Sequence, residues 1–538
     1  MDAPREDTGR REAAAWALLL GLALALRLVG LGDRAFHHDE SQVAYFAWST
    51  ITREHTYAYD PLLHGPWTYY ATALAYAIGG VGDVTARLPA AVAGTVMVGL
   101  PYFLRAQLGR LAAFTAAAGL AVGPSYLYYS RFAREDLHIA LITLAMVVIA
   151  ARMLDAPRRW HPVALLALLA ASFTVKESTL IFGFVVATYL VALLVAHRGR
   201  RPGRAPWTLT AARSVGWRPW ALGLLAFAVV YVALFSSFGA NWGGVWDGVY
   251  EGPSYWLGQH EVGRGGERWF FYLVLLVVYE PLALGLGLLG AGVVLRSWWW
   301  PRARITGFTD VISPRVRALT GYLVWGCAGS LAIYSWAGER FAWLVLHPLL
   351  LLLLLAGIGL QVLWAARAST LGRAGIVLAA LAFAATAYND VRVNVLHPED
   401  PRELLITTQT SPEVPRAVER IRAADARLRA TEGRRVTVAV DPGSGASYPW
   451  AWYLRELPVA YAAPSTPATD VLILTEDVSR RLEPRLDGYR RISVDLRVGW
   501  GRHYTGVGAR DWWRWYWHRT PFTPLAPLRE HVYVRRGL

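Results

Sequence analysis

The feature that most limits how this chain can fold is a succession of long apolar runs separated by short charged loops. The runs fall near residues 13–31, 86–104, 111–129, 137–153, 162–175, 180–196, 220–238, 269–295, 319–336, 341–364 and 374–388. A helix rises 1.5 Å per residue, so about 20 apolar residues cross a bilayer's hydrocarbon layer, and the pattern predicts about eleven transmembrane helices. Composition agrees: 55% hydrophobic residues and a mean hydropathy of +0.29 place the 538 residues in the polytopic membrane class.

The net charge of +15 reads as topology and not as a nucleic-acid footprint, because the basic residues gather in the loops between apolar runs. One further run, 67–81, is short and ends in Gly79-Gly80. If it lies along the interface, with Trp67, Tyr69, Tyr70 and Tyr76 as belt residues, and the amino terminus is cytoplasmic, the basic loops all fall inside. Those loops carry Arg105 and Arg110, Arg152 with Arg158 and Arg159, 198–218, 296–317, and Arg367 with Arg373. If it crosses, all of them fall outside, so the interfacial reading is taken. The amino-terminal run is read as an uncleaved anchor, in preference to a signal peptide cut after Ala23-Leu24-Ala25. Cys327 is the single cysteine and provides no disulfide framework. No P-loop, dinucleotide fingerprint, zinc spacing or internal repeat is found.

After Asp390 the apolar runs stop, which divides the chain into a transmembrane domain, 1–391, and a soluble extracytoplasmic domain, 392–538. In the latter a helix opens at Ser411-Pro412-Glu413 and runs to about Ala430. Stretches 435–440, 470–474 and 491–498 read as strands and 448–457 and 478–486 as helices, giving a small α/β domain. The stretch from Asp511 to His518 holds four tryptophans. It reads as an interfacial anchor or, alternatively, as a sugar-stacking platform.

The same topology collects ionisable residues on the outer face: Asp39 and Glu40; Arg131, Arg134, Glu135 and Asp136; Lys176 and Glu177; Glu339 and Arg340. Lys176 is the only lysine among 54 basic residues, so a compact ammonium has been kept at one position in an arginine-rich chain. Carboxylates beside several cations suit a reaction in which an acid takes a hydroxyl proton while cations hold a departing phosphate. The structural alternatives are ion pairs closing helix ends, Arg131 with Asp136 or Lys176 with Glu177. His64 and His347 read first as packed histidines, and Glu280-Pro281 as a kink.

Several motifs carry a resemblance. They are Asp39-Glu40 in the first outer loop, Arg87 to Ala91, Tyr129-Ser130-Arg131-Phe132-Ala133-Arg134-Glu135-Asp136 before a span, and a lysine after a short one. In this order they resemble the GT-C superfamily of polyprenyl-phosphate-dependent glycosyltransferases, which includes protein O-mannosyltransferases and aminoarabinose transferases. Phe36 to Phe46, His64-Gly65-Pro66, Val175 to Ser178, Tyr334 to Arg340 and Pro449 to Arg455 are similar to the prokaryotic family labelled "flippase activity-associated".

The resemblance implies an all-α polytopic GT-C domain with an interfacial helix in the first outer loop, in a multi-pass protein of a prokaryotic cell membrane. It implies an inverting transfer of a sugar from a polyprenyl-phosphate donor to a protein, glycan or lipid acceptor, with no nucleic-acid partner. Asp39 matches the base, with Glu40 beside it, and Asp136 the second-loop acid. Arg131, Lys176 and Arg340 match cations facing the donor phosphate, while Glu135, Glu177, His64 and Glu339 complete the pocket. A divalent cation, magnesium or manganese, is left open; Asp39, Glu135 and Asp136, with His37 or His38, are its ligands if one binds. The rival reading is a lipid-linked sugar translocase or its accessory, for which charges should run through the depth of the membrane.

Overall fold

The structure, a computed structural model, describes residues 3–52, 57–200, 207–259, 262–299 and 314–538. The chain forms two compact units. The first comprises Met1–Val29, Thr56–Ala71 and Arg87–Leu396, and the second Gly30–His55, Thr72–Ala86 and His397–Leu538. The second unit is therefore built from two stretches of the first loop region as well as from the carboxyl-terminal part of the chain.

The helices are α1 (Ala3–Leu28), α2 (His38–Ile51), α3 (Trp67–Gly79), α4 (Asp83–Gly99), α5 (Arg110–Val122), α6 (Pro124–Tyr129), α7 (Glu135–Asp155), α8 (Trp160–Val175), α9 (Thr179–Arg200) and α10 (Trp217–Phe235). They continue as α11 (Glu251–Gly258), α12 (Phe271–Tyr279), α13 (Pro281–Trp299), α14 (Pro314–Trp336), α15 (Leu346–Ala365) and α16 (Thr370–Val391). Among the described residues, eight helices are long and apolar enough to cross a membrane, and α5 and α8 are shorter apolar helices. The difference from eleven unbroken spans has local causes. The expected runs missing from the eight are 13–31, 111–129 and 162–175; run 111–129 is cut at Gly123, where Pro124 opens α6, and α8 is 16 residues long, while run 269–295 keeps a span that starts only at Pro281, after a break at Glu280.

In the first unit α15 is buried almost all round, from Leu346 through Gly359. It packs where small residues let backbones meet: a Cβ on Gly290 would strike the Leu355 carbonyl, and one on Gly359 that of Leu286.

In the second unit the strands are β1 (Gln409–Thr410), β2 (Val438–Val440), β3 (Val459–Tyr461), β4 (Val471–Thr475), β5 (Tyr489–Trp500) and β6 (Leu525–Arg535). Their order is β1-β5-β6-β4-β2-β3. The β3-β2-β4 trio is parallel, and β6, β5 and β1 extend the sheet antiparallel. Three of the strands match those expected; β1, β3 and β6 do not stand out in sequence, because two are very short and β6 carries Pro527. Helices α17 (Glu413–Glu432), α18 (Ser447–Tyr453), α19 (Glu476–Leu482) and α20 (Ala509–His518) complete this unit.

Its main core joins distant segments. Phe36, Ala44, Ala47, Ala73, Tyr76 and Ala86 pack in one cluster with Ile421, Val438, Trp450, Trp452, Ile473 and Val532. Trp452 is the hinge of this cluster: it stacks on Tyr76 with ring centres 5.9 Å apart, lies 5.4 Å from Phe36, and donates from Nε1 to Asp83 at 2.9 Å. The Arg455 guanidinium covers its ring at 3.8 Å.

Candidate active site

In the first unit the site begins where α7 starts. Glu135 and Asp136 occupy its first turn, where the helix dipole favours negative charge, and both are buried. Buried carboxylates need partners, and Asp136 has three. Lys176 Nζ donates to Oδ1 at 2.9 Å, Arg134 Nε to Oδ2 at 3.2 Å, and His347 Nε2 lies 3.6 Å from Oδ1. Arg134 also lies 3.6 Å from Glu135, and its guanidinium sits 3.7 Å over the Trp343 ring. Tyr334 stacks on His347 at 5.1 Å. Lys176 caps α8 in extended backbone, so its side chain leaves the helix axis at the point where the chain turns into α9.

The residue after it makes a second cluster. Glu177 accepts from Tyr59 at 2.7 Å and is 2.9 Å from His64 Nδ1, while the His64 ring stacks on Trp256 of α11 at 4.8 Å. Burial pushes the Glu177 carboxyl up, but His64 and the Tyr59 hydroxyl outweigh it and hold the group below its ordinary range. The loop is locked to α8: Gly65 N–H donates to the Val175 carbonyl at 3.2 Å, and a Cβ at Gly65 would overlap the Thr174 carbonyl. His64 holds a left-handed backbone, φ 63°, which is strained for a residue with a side chain.

Tyr272 of α12 lies within electrostatic reach of Tyr334, Glu339, Arg340 and Asp136, so the Glu339-Arg340 loop converges on the same region. Arg340 is aimed by two carbonyls, donating from Nε to Ser335 at 3.1 Å and from Nη1 to Glu267 at 2.8 Å. Arg131 likewise donates to the carbonyls of Asn394, at 3.0 Å, and Val29, at 2.8 Å. A narrow cavity lined by Ile139, Ser178, Tyr322, Tyr334 and His347 leads away from the cluster. A larger apolar cavity of about 480 Å³ lies between α9, α13 and α14, lined by residues including Leu193, Trp298 and Trp325.

In the second unit Asp39 and Glu40 open α2 and take different parts. Glu40 is fully buried, accepts the His37 N–H at 3.0 Å and pairs with Arg34 at 3.4 Å; with His37 it forms a capping box. Asp39 keeps 29% of its side chain exposed. Its own N–H donates to His37 Nδ1 at 3.1 Å, while His37 Nε2 meets the Thr407 carbonyl at 2.7 Å. His37 is thereby fixed with its proton on Nε2.

Those bonds bear on metal binding. Both His37 nitrogens are taken, His38 is engaged by the Tyr448 carbonyl and Gln42, and the Asp136 oxygens face three cationic or proton-bearing groups. Among the described residues no three His, Cys, Asp or Glu side chains are grouped to hold a metal ion.

Sequence reasoning left Tyr59, Tyr334 and Trp343 out of the site and read His347 as a packed histidine. The aromatic residues carry no signal in a chain that is 13% aromatic. Arg134 was visible, two residues before Asp136 in the same motif.

The fold is of the GT-C type, with an apolar helical unit that carries a buried ionic cluster at its helix ends, and a small mixed-sheet unit. Residues 63–233 match the profile of the family described as dolichyl-phosphate-mannose-protein mannosyltransferase. Among solved structures, the chain is similar to ArnT from Cupriavidus metallidurans bound to undecaprenyl phosphate, with a TM-score of 0.59 and 16% identity over 89% of this chain and 96% of that one. It is similar to the archaeal oligosaccharyltransferase AglB from Archaeoglobus fulgidus, in complex with an inhibitory peptide and a dolichol-phosphate, with a TM-score of 0.55 and 13% identity over 85% and 65% of the two chains. Arabinofuranosyltransferase AftD from Mycobacteria matches with a TM-score of 0.51 and 12% identity, over 98% of this chain and 40% of that one. At these identities the likeness is one of fold. No curated protein matches the chain in sequence.

Proposed function

We propose that this protein is a membrane glycosyltransferase that moves a sugar from a polyprenyl-phosphate donor to an acceptor hydroxyl at the extracytoplasmic face of a prokaryotic cell membrane. The observation that carries the reading is the buried set of Asp136, Lys176, Arg134 and His347 at the ends of apolar helices, in a GT-C fold. Ionisable groups so placed are costly and are kept for function.

In this reading Asp39 is the base. The acceptor O–H gives its proton to the Asp39 carboxylate, the oxygen bonds to the anomeric carbon, and the bond from that carbon to the phosphate oxygen breaks. The electron pair leaves with the polyprenyl phosphate, and attack from the opposite face inverts the anomeric centre. Lys176 and Arg340 stabilise the charge gathering on the phosphate. Asp136 and Arg134 set the position of Lys176, and Arg131, through its carbonyl bonds, holds the loop that carries them. His64 and Glu177 fix the other side of Lys176. The apolar cavity beside α9 and α14 suits an isoprenoid chain.

The test uses purified protein with a defined polyprenyl-phosphate hexose and a panel of hydroxyl acceptors. Transfer with inversion is expected, and Asp39→Asn is expected to lower it by about 10³-fold or more while donor binding persists. Full turnover in that variant overturns the base assignment. Headgroup reorientation in liposomes without any transfer replaces the reading with a translocase.

A further inference from the structure

The tryptophan-rich helix α20 is not used by this mechanism, and its two sides have opposite characters. One side is built into the second unit. Trp515 is fully buried and donates from Nε1 to the Arg402 carbonyl at 2.9 Å. Trp512 stacks on Tyr504 at 6.1 Å and lies 5.3 Å from Phe522. The helix end is pinned by Arg519, which donates to Glu403 at 2.8 Å with neither side chain exposed. Because this inner side is anchored, the direction of the outer side is fixed.

The outer side is Arg510, Trp513, Arg514 and Trp517, spaced i, i+3, i+4 and i+7, which is one face of a helix. Trp513 is 65% exposed and Trp517 44%, with their rings 5.7 Å apart. Both arginines are exposed, and neither has an acidic partner among the described residues. Holding two tryptophans toward water is unfavourable, and exposed apolar patches on stable elements mark contact surfaces.

The chain restricts what that contact can be. The span Thr370–Leu396 ends six residues before Arg402, to whose carbonyl Trp515 is bonded. Six residues reach at most about 20 Å, so Arg402 is held to the end of that span by a short tether. Indole rings flanked by guanidinium groups match a lipid headgroup layer chemically: the rings enter the carbonyl and glycerol region, and the arginines meet lipid phosphates.

We infer that the face formed by Arg510, Trp513, Arg514 and Trp517 docks on the phosphate headgroups of the membrane that the chain itself spans, as a peripheral foot of the second unit. This rests on the helix and its tether and not on the glycosyltransferase reading.

The full chain carries one cysteine, so a Cys327→Ala, His518→Cys protein takes an environment-sensitive fluorophore beside the face. It is placed in nanodiscs of phosphatidylcholine and phosphatidylglycerol that contain a headgroup-nitroxide lipid. The expected result is strong quenching of that fluorophore and none of one at Thr431→Cys on α17. Arg510→Glu with Arg514→Glu is expected to reduce the docked population by roughly fivefold per arginine, and 0.5 M salt should weaken docking in the parent protein. Trp513→Ala with Trp517→Ala should abolish quenching at low salt, with the thermal transition of the second unit unchanged. Absence of quenching, or quenching indifferent to both double variants, overturns the inference. So does fluorescence that responds to a soluble oligosaccharide and not to the lipid, which would assign the tryptophan pair to carbohydrate.

Discussion

Asp39 and Glu40 are adjacent and chemically alike, yet the fold gives them separate tasks. Glu40 ties the start of α2 to Arg34 and the His37 amide, whereas Asp39 keeps part of its carboxylate accessible. Glu40→Ala would remove the carboxylate that a buried guanidinium and an amide bond to, and is expected to cost about 3 kcal/mol of second-unit stability in a chemical denaturation curve. Asp39→Asn should leave that curve in place while removing transfer. At Lys176, Met should leave Asp136 paired with Arg134, keep the protein folded and raise the donor dissociation constant at least about tenfold. Arg at the same position is expected not to restore affinity, because a planar fork cannot take the place of a compact ammonium held 2.9 Å from Asp136. Titration with a polyprenyl phosphate reads both. From sequence the acidic pair and the lone lysine were visible, but the division of labour was not, since capping depends on where Arg34 and the backbone of His37 come to lie.

Elements set the geometry these side chains work in. The His64-Gly65-Pro66 turn presses against the last residues of α8, leaving no room for a methyl group at Gly65. Gly65→Ala should therefore shift the Lys176-Glu177 turn and raise the Michaelis constant for the donor about tenfold or more, with the apolar helices still inserted. On β6, Glu530 is fully buried, accepts the Trp450 indole N–H at 2.5 Å, and is pushed by burial up to about 8, against the pull of Trp450 and Arg497 and with Asp441 adding to the rise. The unfolded chain titrates it near 4.5. Its folded value is the higher one, so its contribution is complete below about pH 4.5, declines above that, and is lost once pH passes about 8. The ceiling on that loss is roughly 5 kcal/mol. Glu530→Gln should flatten the fall in second-unit melting temperature between pH 5 and 9. Most helices of both units were legible, because apolar periodicity and proline placement are local signals. β1, β3 and β6 were not, because two- and three-residue strands and a proline-bearing strand gain their identity from neighbours far along the chain.

At the scale of the whole molecule the apolar runs announced a polytopic helical protein, and the motif order pointed to its fold class. The grouping of the first loop region with the carboxyl-terminal segment was not readable. Phe36, Ala44, Ala47, Ala73, Tyr76 and Ala86 look like ordinary loop and interfacial residues until Trp452 and the sheet supply the rest of their core. A chain stopped after residue 524 lacks β6, which lies between β5 and β4. It is expected to insert its apolar helices normally yet to show protease-sensitive cleavage around α2 and no transfer, a loss that a deletion so remote from Asp39 would not otherwise produce. The same shared core has a consequence in time. Ribosomes deliver Asp39 more than 480 residues before the end of β6, and through that interval its helix has nowhere to settle. On the proposed mechanism a half-made copy threading into the bilayer is thus inert, and transfer becomes possible only when the tail of the polypeptide completes the core around its own beginning.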